Sequence, residues 1–117
     1  MKTRDKISLM LVDDHNIIRQ GLEHALSLED DVAVIAQAET GQAAIELACE
    51  QLPDVIIMDI SMPDMNGIEA TRQILKCHPD IRVIALSVHT EKEIVLAMIQ
   101  AGAKGYLLKT NYYEHLV

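Results

Sequence analysis

The chain has 117 residues, half of them apolar, and a formal net charge of −8 from 18 acidic and 10 basic side chains. That is material for one domain with a single core, and an acidic surface without a basic run repels phosphate backbones, which argues against direct nucleic-acid binding by these residues. Phe and Trp are absent and only three Tyr occur, so the core is aliphatic and a site built on an aromatic clamp has little to draw on.

The first residues, MKTRDKISLMLVDD, start basic and turn apolar, but the apolar run covers only Ile7 to Val12 and stops at two aspartates. It is too short for a secretory signal or a membrane span, so a cytoplasmic location with no membrane contact is expected. ISLMLV (7–12) reads as a buried strand, and NIIRQGLEHALSLE (16–29) as a helix with Ile18, Leu22, Ala25 and Leu26 at helical spacing. VAVIAQA (32–38) is the next apolar run. TGQAAIELACEQ (40–51) follows, with Thr40 as a cap and Ala44, Ile45 and Ala48 facing inward. VIIM (55–58) is a third strand, and GIEATRQILKC (67–77) a helix with Ile68, Thr71, Ile74 and Leu75 on one stripe. RVIALS (82–87) is the fourth strand. Thr90 and Glu93 suggest a capping box for the next helix, which Gly102 stops. KGYLL (104–108) is the fifth strand, and NYYEHLV starts a last, short helix. Cys49 and Cys77 are far apart and outside any metal-ligand spacing, and are expected as buried free thiols within helices.

Short apolar strands separated by helices of about 11–14 residues imply a parallel sheet covered on both faces, an open doubly wound α/β domain. Ligands of such folds sit beyond the carboxyl ends of the strands. Neither GxGxxG after the first strand nor GxxxxGK[ST] anywhere occurs, which disfavours a dinucleotide fold or a P-loop.

What the strands deliver at that edge is specific. Asp13 and Asp14 follow the first, Asp59 the third, Ser87 ends the fourth and Lys109 the fifth. Singly, each has an ordinary explanation: an aspartate after a strand often caps the next helix, and a serine or lysine there is a turn residue or a solvated charge. Asp59 resists that explanation, because a carboxylate adjoining a buried run costs several kcal/mol without a partner. Three carboxylates on one edge repel one another, which a cation relieves. Oxygen donors, with no His or Cys counted among them, point to Mg²⁺, with Mn²⁺ or Ca²⁺ as alternatives. Lys109 and Ser87 add an anion-binding side. The chemistry implied is phosphoryl binding or transfer beside a metal, with a carboxylate able to act as nucleophile.

The segments LMLVDDH, VIIMDISMPDMNGIEA, VIALS and AGAKGYLLK together resemble the receiver domain of two-component response regulators, over nearly the whole chain. LVDDHNIIRQGL and AGAKGYLLK resemble the NarL/FixJ-like subfamily in particular. The resemblance implies a flavodoxin-like (βα)5 fold, strand order 2-1-3-4-5, with residues 1–117 forming one phosphoacceptor domain. It implies that a helix-turn-helix output domain lies outside this chain, and that DNA is reached only through it. Asp59 would be the phosphoacceptor. Asp14, Asp59 and the backbone carbonyl of Ser61 would ligate Mg²⁺, with Asp13 joining through water. Ser87 would be the switch hydroxyl, Lys109 the phosphoryl counter-ion and Tyr106 the switch aromatic. Ser61 and His89 would occupy the positions that tune phosphoryl lifetime in this family, His89 either orienting a water or simply being solvated. Partners would be a sensor histidine kinase and a second copy of the chain. Beyond its own phosphorylation and slow dephosphorylation, the domain would not be an enzyme. One departure is Thr110, where many receivers carry a cis proline; a cis bond there would cost roughly 2.5–4 kcal/mol, so a trans bond is expected.

Other classes compete. A flavodoxin-like electron carrier shares the fold but wants a hydroxyl-rich phosphate loop where this chain has DDHN. A haloacid-dehalogenase-type phosphatase also forms an aspartyl phosphate, but carries a DxD pattern where Asp13 and Asp14 are adjacent. A degenerate receiver, serving only as an interaction module, would not need Asp13, Asp14, Asp59 and Lys109 together.

Overall fold

The computed structural model of the chain describes residues 6–60, 67–87 and 92–108. Five strands alternate with four helices: β1 (Ile7–Val12), α1 (Asn16–Ser27), β2 (Val32–Ala38), α2 (Gly41–Gln51), β3 (Val55–Asp59), α3 (Gly67–Cys77), β4 (Arg82–Ser87), α4 (Lys92–Ala101) and β5 (Gly105–Leu108). The strands form one parallel sheet in the order β2-β1-β3-β4-β5. Both the expected fold and its strand order are therefore found.

The period-2 alternation of each strand divides the core into two layers. Leu11, Ile57 and Leu86 face one side, where Leu22 of α1 covers them, with Ile18 and Leu26 packed at the margin. Met10, Val12, Ile56, Met58, Val83 and Ala85 face the other, under Ala44 and Ala48 of α2, Ala70 and Ile74 of α3, and Met98 of α4. Small residues on α2 and α3 let the helices approach the sheet closely. Burying each larger aliphatic side chain contributes about 1.5–3 kcal/mol.

The helix ends follow local chemistry. Thr40 caps α2, its hydroxyl accepting the Ala43 N–H at 3.1 Å. The same helix ends on Leu52 in the left-handed region, at φ 48° and ψ 59°. Gly102, at φ +117°, ends α4 as expected: its N–H reaches Ile99 and the Ala103 N–H reaches Met98, the paired bonds of a Schellman stop. Thr90, the other half of the expected capping box, lies outside the described residues, as do Thr110 and the last helix.

Burial of the two thiols is not found: Cys49 and Cys77 are both exposed. Cys49 follows the buried Ala48 by one position, a turn of about 100°, which points it sideways out of the core. Cys77 is the last residue of α3, beyond the final buried position, Ile74.

Candidate functional site

Adjacent strands β1 and β3 run in register, Val12 opposite Met58, so the next residues, Asp13 and Asp59, emerge side by side. In this strand order the connections turn in opposite directions on either side of the β1–β3 pair, and a crevice opens at that switch point. Asp13 and Asp59 are both only 1% exposed. Asp14 and His15 stand outside them, with side chains 31% and 58% exposed, and form the solvent-facing wall.

Local backbone bonds hold this edge. The Asp13 N–H donates to the Ala38 carbonyl at 3.1 Å, and the Ile60 N–H to the Leu86 carbonyl at 3.2 Å, extending the ladder past both aspartates. Asp13 Oδ1 accepts the His15 backbone N–H and lies against the His15 ring Nδ1, both at 2.8 Å. The first of these is an aspartate turn leading into α1, whose N-cap is His15 without a side-chain capping bond, so Asp13 shapes the approach to the helix and does not cap it. Arg19, one turn into α1, donates from Nη1 to the Asp13 main-chain carbonyl at 3.0 Å. Its guanidinium also bonds Asn16 and lies 3.7 Å from Glu39. A fixed cation thus braces the loop from behind.

On the other side of Asp59, α3 begins against the strand. The Gly67 N–H donates to the Ile60 carbonyl at 2.6 Å. A β-carbon on Gly67 would stand 2.2 Å from the Asp59 carbonyl oxygen. Only glycine lets the helix start this close.

One ligand atom each from Asp13, Asp14, His15 and Asp59 fall within 4.8 Å of one another. Opposite ligands of an octahedral Mg²⁺ are about 4.2 Å apart, twice a bond of about 2.1 Å, so the widest separation the group allows exceeds that span by about 0.6 Å and a small inward shift would bring these side chains onto one cation. His15, which the expected oxygen donor set did not include, stands in the same group. Sequence reading missed both His15 and Arg19. Their signal is slight: a histidine directly after the acid pair, and an arginine four residues further on, one helical turn away.

The remaining sequence-derived positions are reached in part. Ser87 is the last residue of β4 and pairs with Leu108; Tyr106 lies in β5 opposite Ala85. Their backbones stand on the expected strands. Ser61, His89 and Lys109 lie outside the described residues. A separate hollow of about 380 Å³, lined by Leu52, Pro53, Cys77 and His78 among others, lies at the opposite end of the sheet from the acidic cluster.

Known proteins place this arrangement. The family model for the response regulator receiver domain matches residues 9–117. The chain is 43% identical over 113 residues to the transcriptional regulatory protein DegU of Brevibacillus brevis, covering 97% of this chain and 48% of that protein. It is 42% identical over 103 residues to the response regulator GacA of Pseudomonas viridiflava, covering 88% of this chain and 48% of GacA. Among solved structures it superposes with TM-score 0.86 on a LuxR-family two-component response regulator from Aurantimonas sp. SI85-9A1, at 35% identity over 91% of this chain and 76% of that one. The signal receiver domain of a putative response regulator NarL from Mycobacterium tuberculosis gives TM-score 0.84 at 38% identity, over 91% and 86% of the two chains. The chain belongs to the response regulator receiver domain family, and its relatives are of the NarL and LuxR kind that its motifs resemble. It spans about half the length of the curated relatives it matches. Among the described residues, no helix is long and apolar enough to cross a membrane.

Proposed function

We propose that this chain is the phosphoacceptor half of a two-component transcription regulator, with Asp59 receiving the phosphoryl group. The observation that carries this reading is the placement of Asp59, which ends a buried strand yet shares a solvent-bordered acidic notch with Asp13 and Asp14. Asp14, Asp59 and the Ser61 carbonyl would hold Mg²⁺, with Asp13 acting through water. When bound, the metal supplies charge neutralisation for the phosphoryl oxygens.

An Asp59 carboxylate oxygen attacks the phosphorus of a kinase phosphohistidine. The P–O bond to Asp59 forms as the P–N bond breaks, and the kinase imidazole departs with its electron pair. The strand ladder around Asp59 and the Gly67 contact fix the direction of attack. Lys109 then neutralises the added charge and Ser87 donates a hydrogen bond to it. The β4 end moves, Tyr106 turns, and the altered face controls pairing of two copies and a DNA-binding output domain in the cytoplasm. A charge-assisted hydrogen bond nets about 1.5–3 kcal/mol, whereas driving an equilibrium from 1:99 to 99:1 takes about 5.5 kcal/mol. Ser87 therefore shares the switch with Lys109, the metal and dimerisation. The Ser87→Ala variant should accept phosphate but assemble poorly, and full assembly by that variant would refute its role.

The test is incubation with Mg²⁺ and acetyl phosphate, followed by intact mass and oligomeric size. Wild type should gain the mass of one phosphoryl group and Asp59→Asn none. No gain by wild type would overturn the reading.

A further inference from the structure

The acidic notch contains a donor that an oxygen-only magnesium site does not need. His15 Nδ1 lies 2.8 Å from Asp13 Oδ1 and 3.3 Å from Asp14 Oδ1, and a ring nitrogen of His15 falls within 4.8 Å of an Asp59 carboxylate oxygen. The backbone roots the side chain beside the notch, because the His15 N–H is tied to the same Asp13 oxygen at 2.8 Å.

We infer that His15 is a specificity-determining residue for the metal, an imidazole ligand that biases the notch from Mg²⁺ toward Mn²⁺ and later first-row divalent ions. The inference rests on the reading of the notch as a cation site. Magnesium prefers oxygen and gains little from imidazole, whereas borderline ions bind it increasingly well along the series from Mn²⁺ to Cu²⁺. The ring has the freedom to serve. As a hydrogen-bond donor to Asp13 it carries its hydrogen on Nδ1; as a ligand it carries that hydrogen on Nε2. The side chain is 58% exposed, and neutral imidazole can carry its hydrogen on either nitrogen. Asp13 and Asp14, on either side of the ring, supply the negative charge that any of these ions requires. His15 thereby sets which ion is held, while the carboxylates set that an ion is held.

The test measures binding of Mg²⁺ and of Mn²⁺ to the full chain by titration calorimetry, without any phosphodonor, for wild type, His15→Ala, His15→Phe and Asp59→Asn. The Mn²⁺-loaded wild type is also examined by pulsed electron paramagnetic resonance for coupling to an imidazole nitrogen. Wild type should show that coupling, and both His15 variants should lose it. The ratio of Mn²⁺ to Mg²⁺ affinity should fall about tenfold in both variants, the scale on which ligand-sphere changes act. An unchanged ratio with no imidazole coupling in wild type overturns the role of His15 and leaves the carboxylate site intact. Failure of wild type to bind either ion overturns the cation site itself, and the inference with it.

Discussion

Replacing Gly67 by alanine tests whether the α3 start positions Asp59. The added β-carbon would sit 2.2 Å from the Asp59 carbonyl oxygen and 2.9 Å from the Asp59 carbonyl carbon and the Ile60 α-carbon. Ordinary contact begins at 3.4 Å, so helix or strand must retreat by about 1.2 Å. All three obstructing atoms are backbone, and the strand is pinned by the β1 and β4 ladders, so no side chain can rotate away. Overpacking of this kind costs about 1–3 kcal/mol. The Gly67 to Ile60 bond, 2.6 Å long, stretches as well, adding about 0.5–1.5 kcal/mol. The usual helical advantage of alanine over glycine, about 1 kcal/mol, offsets part of this. The net expectation is a loss of about 1–3 kcal/mol, read as a several-degree fall in Tm. Phosphoryl transfer should suffer more, since a misplacement of about 1 Å can cost about a hundredfold in rate. Gly105→Ala is the control: its β-carbon would meet Ile84 at an ordinary 3.7 Å, so stability should hardly change. Equal Tm and equal acetyl phosphate reactivity for Gly67→Ala and wild type would refute the argument.

Leu52 adopts the left-handed conformation without being glycine, and chemical denaturation of Leu52→Gly should show a gain of about 1 kcal/mol. Thr40→Ala removes the α2 cap and should cost about 1 kcal/mol in the same assay. Thr71 is wholly buried with no hydrogen-bond partner for its hydroxyl among the described residues, so Thr71→Val should be neutral or stabilising by about 1 kcal/mol. The Glu69 carboxyl is held below its ordinary range, first by the Gln73 hydrogen bond; desolvation opposes this, and the Arg72 charge and hydrogen bond add to the lowering. A carboxylate lowered in the folded state contributes stability above its unfolded pKa and loses it as pH falls through the folded one. Carboxyl-detected NMR should place the Glu69 midpoint low, and Gln73→Leu should raise it.

The fold and half of the site were legible for one reason. A buried parallel strand has no use for a carboxylate, so aspartates at strand ends mark where the chain leaves the core. That logic found Asp13, Asp14 and Asp59, because their signal is a clash between residue type and its neighbours. It could not find His15, whose place depends on the turn folding its ring back over Asp13. Nor could it find Arg19, which reads as one more polar position on an amphipathic helix. Counting cysteine as apolar misplaced Cys49, since helical phase turns that thiol away from the sheet. Gly67 carried no pattern of its own; its necessity appears only when α3 is seen resting on the Asp59 carbonyl.

Asp13 and Asp59 come from strands that touch in space but lie far apart along the chain. Whatever bridges them can do so only after β1 and β3 have zipped together, because the unfolded polymer offers no such pair of anchors. Occupancy of the notch is therefore also a clasp on the sheet, and by mass action melting temperature should climb with the logarithm of ligand concentration above its Kd. On the proposed function, sensing and structural integrity would share one seam in this domain.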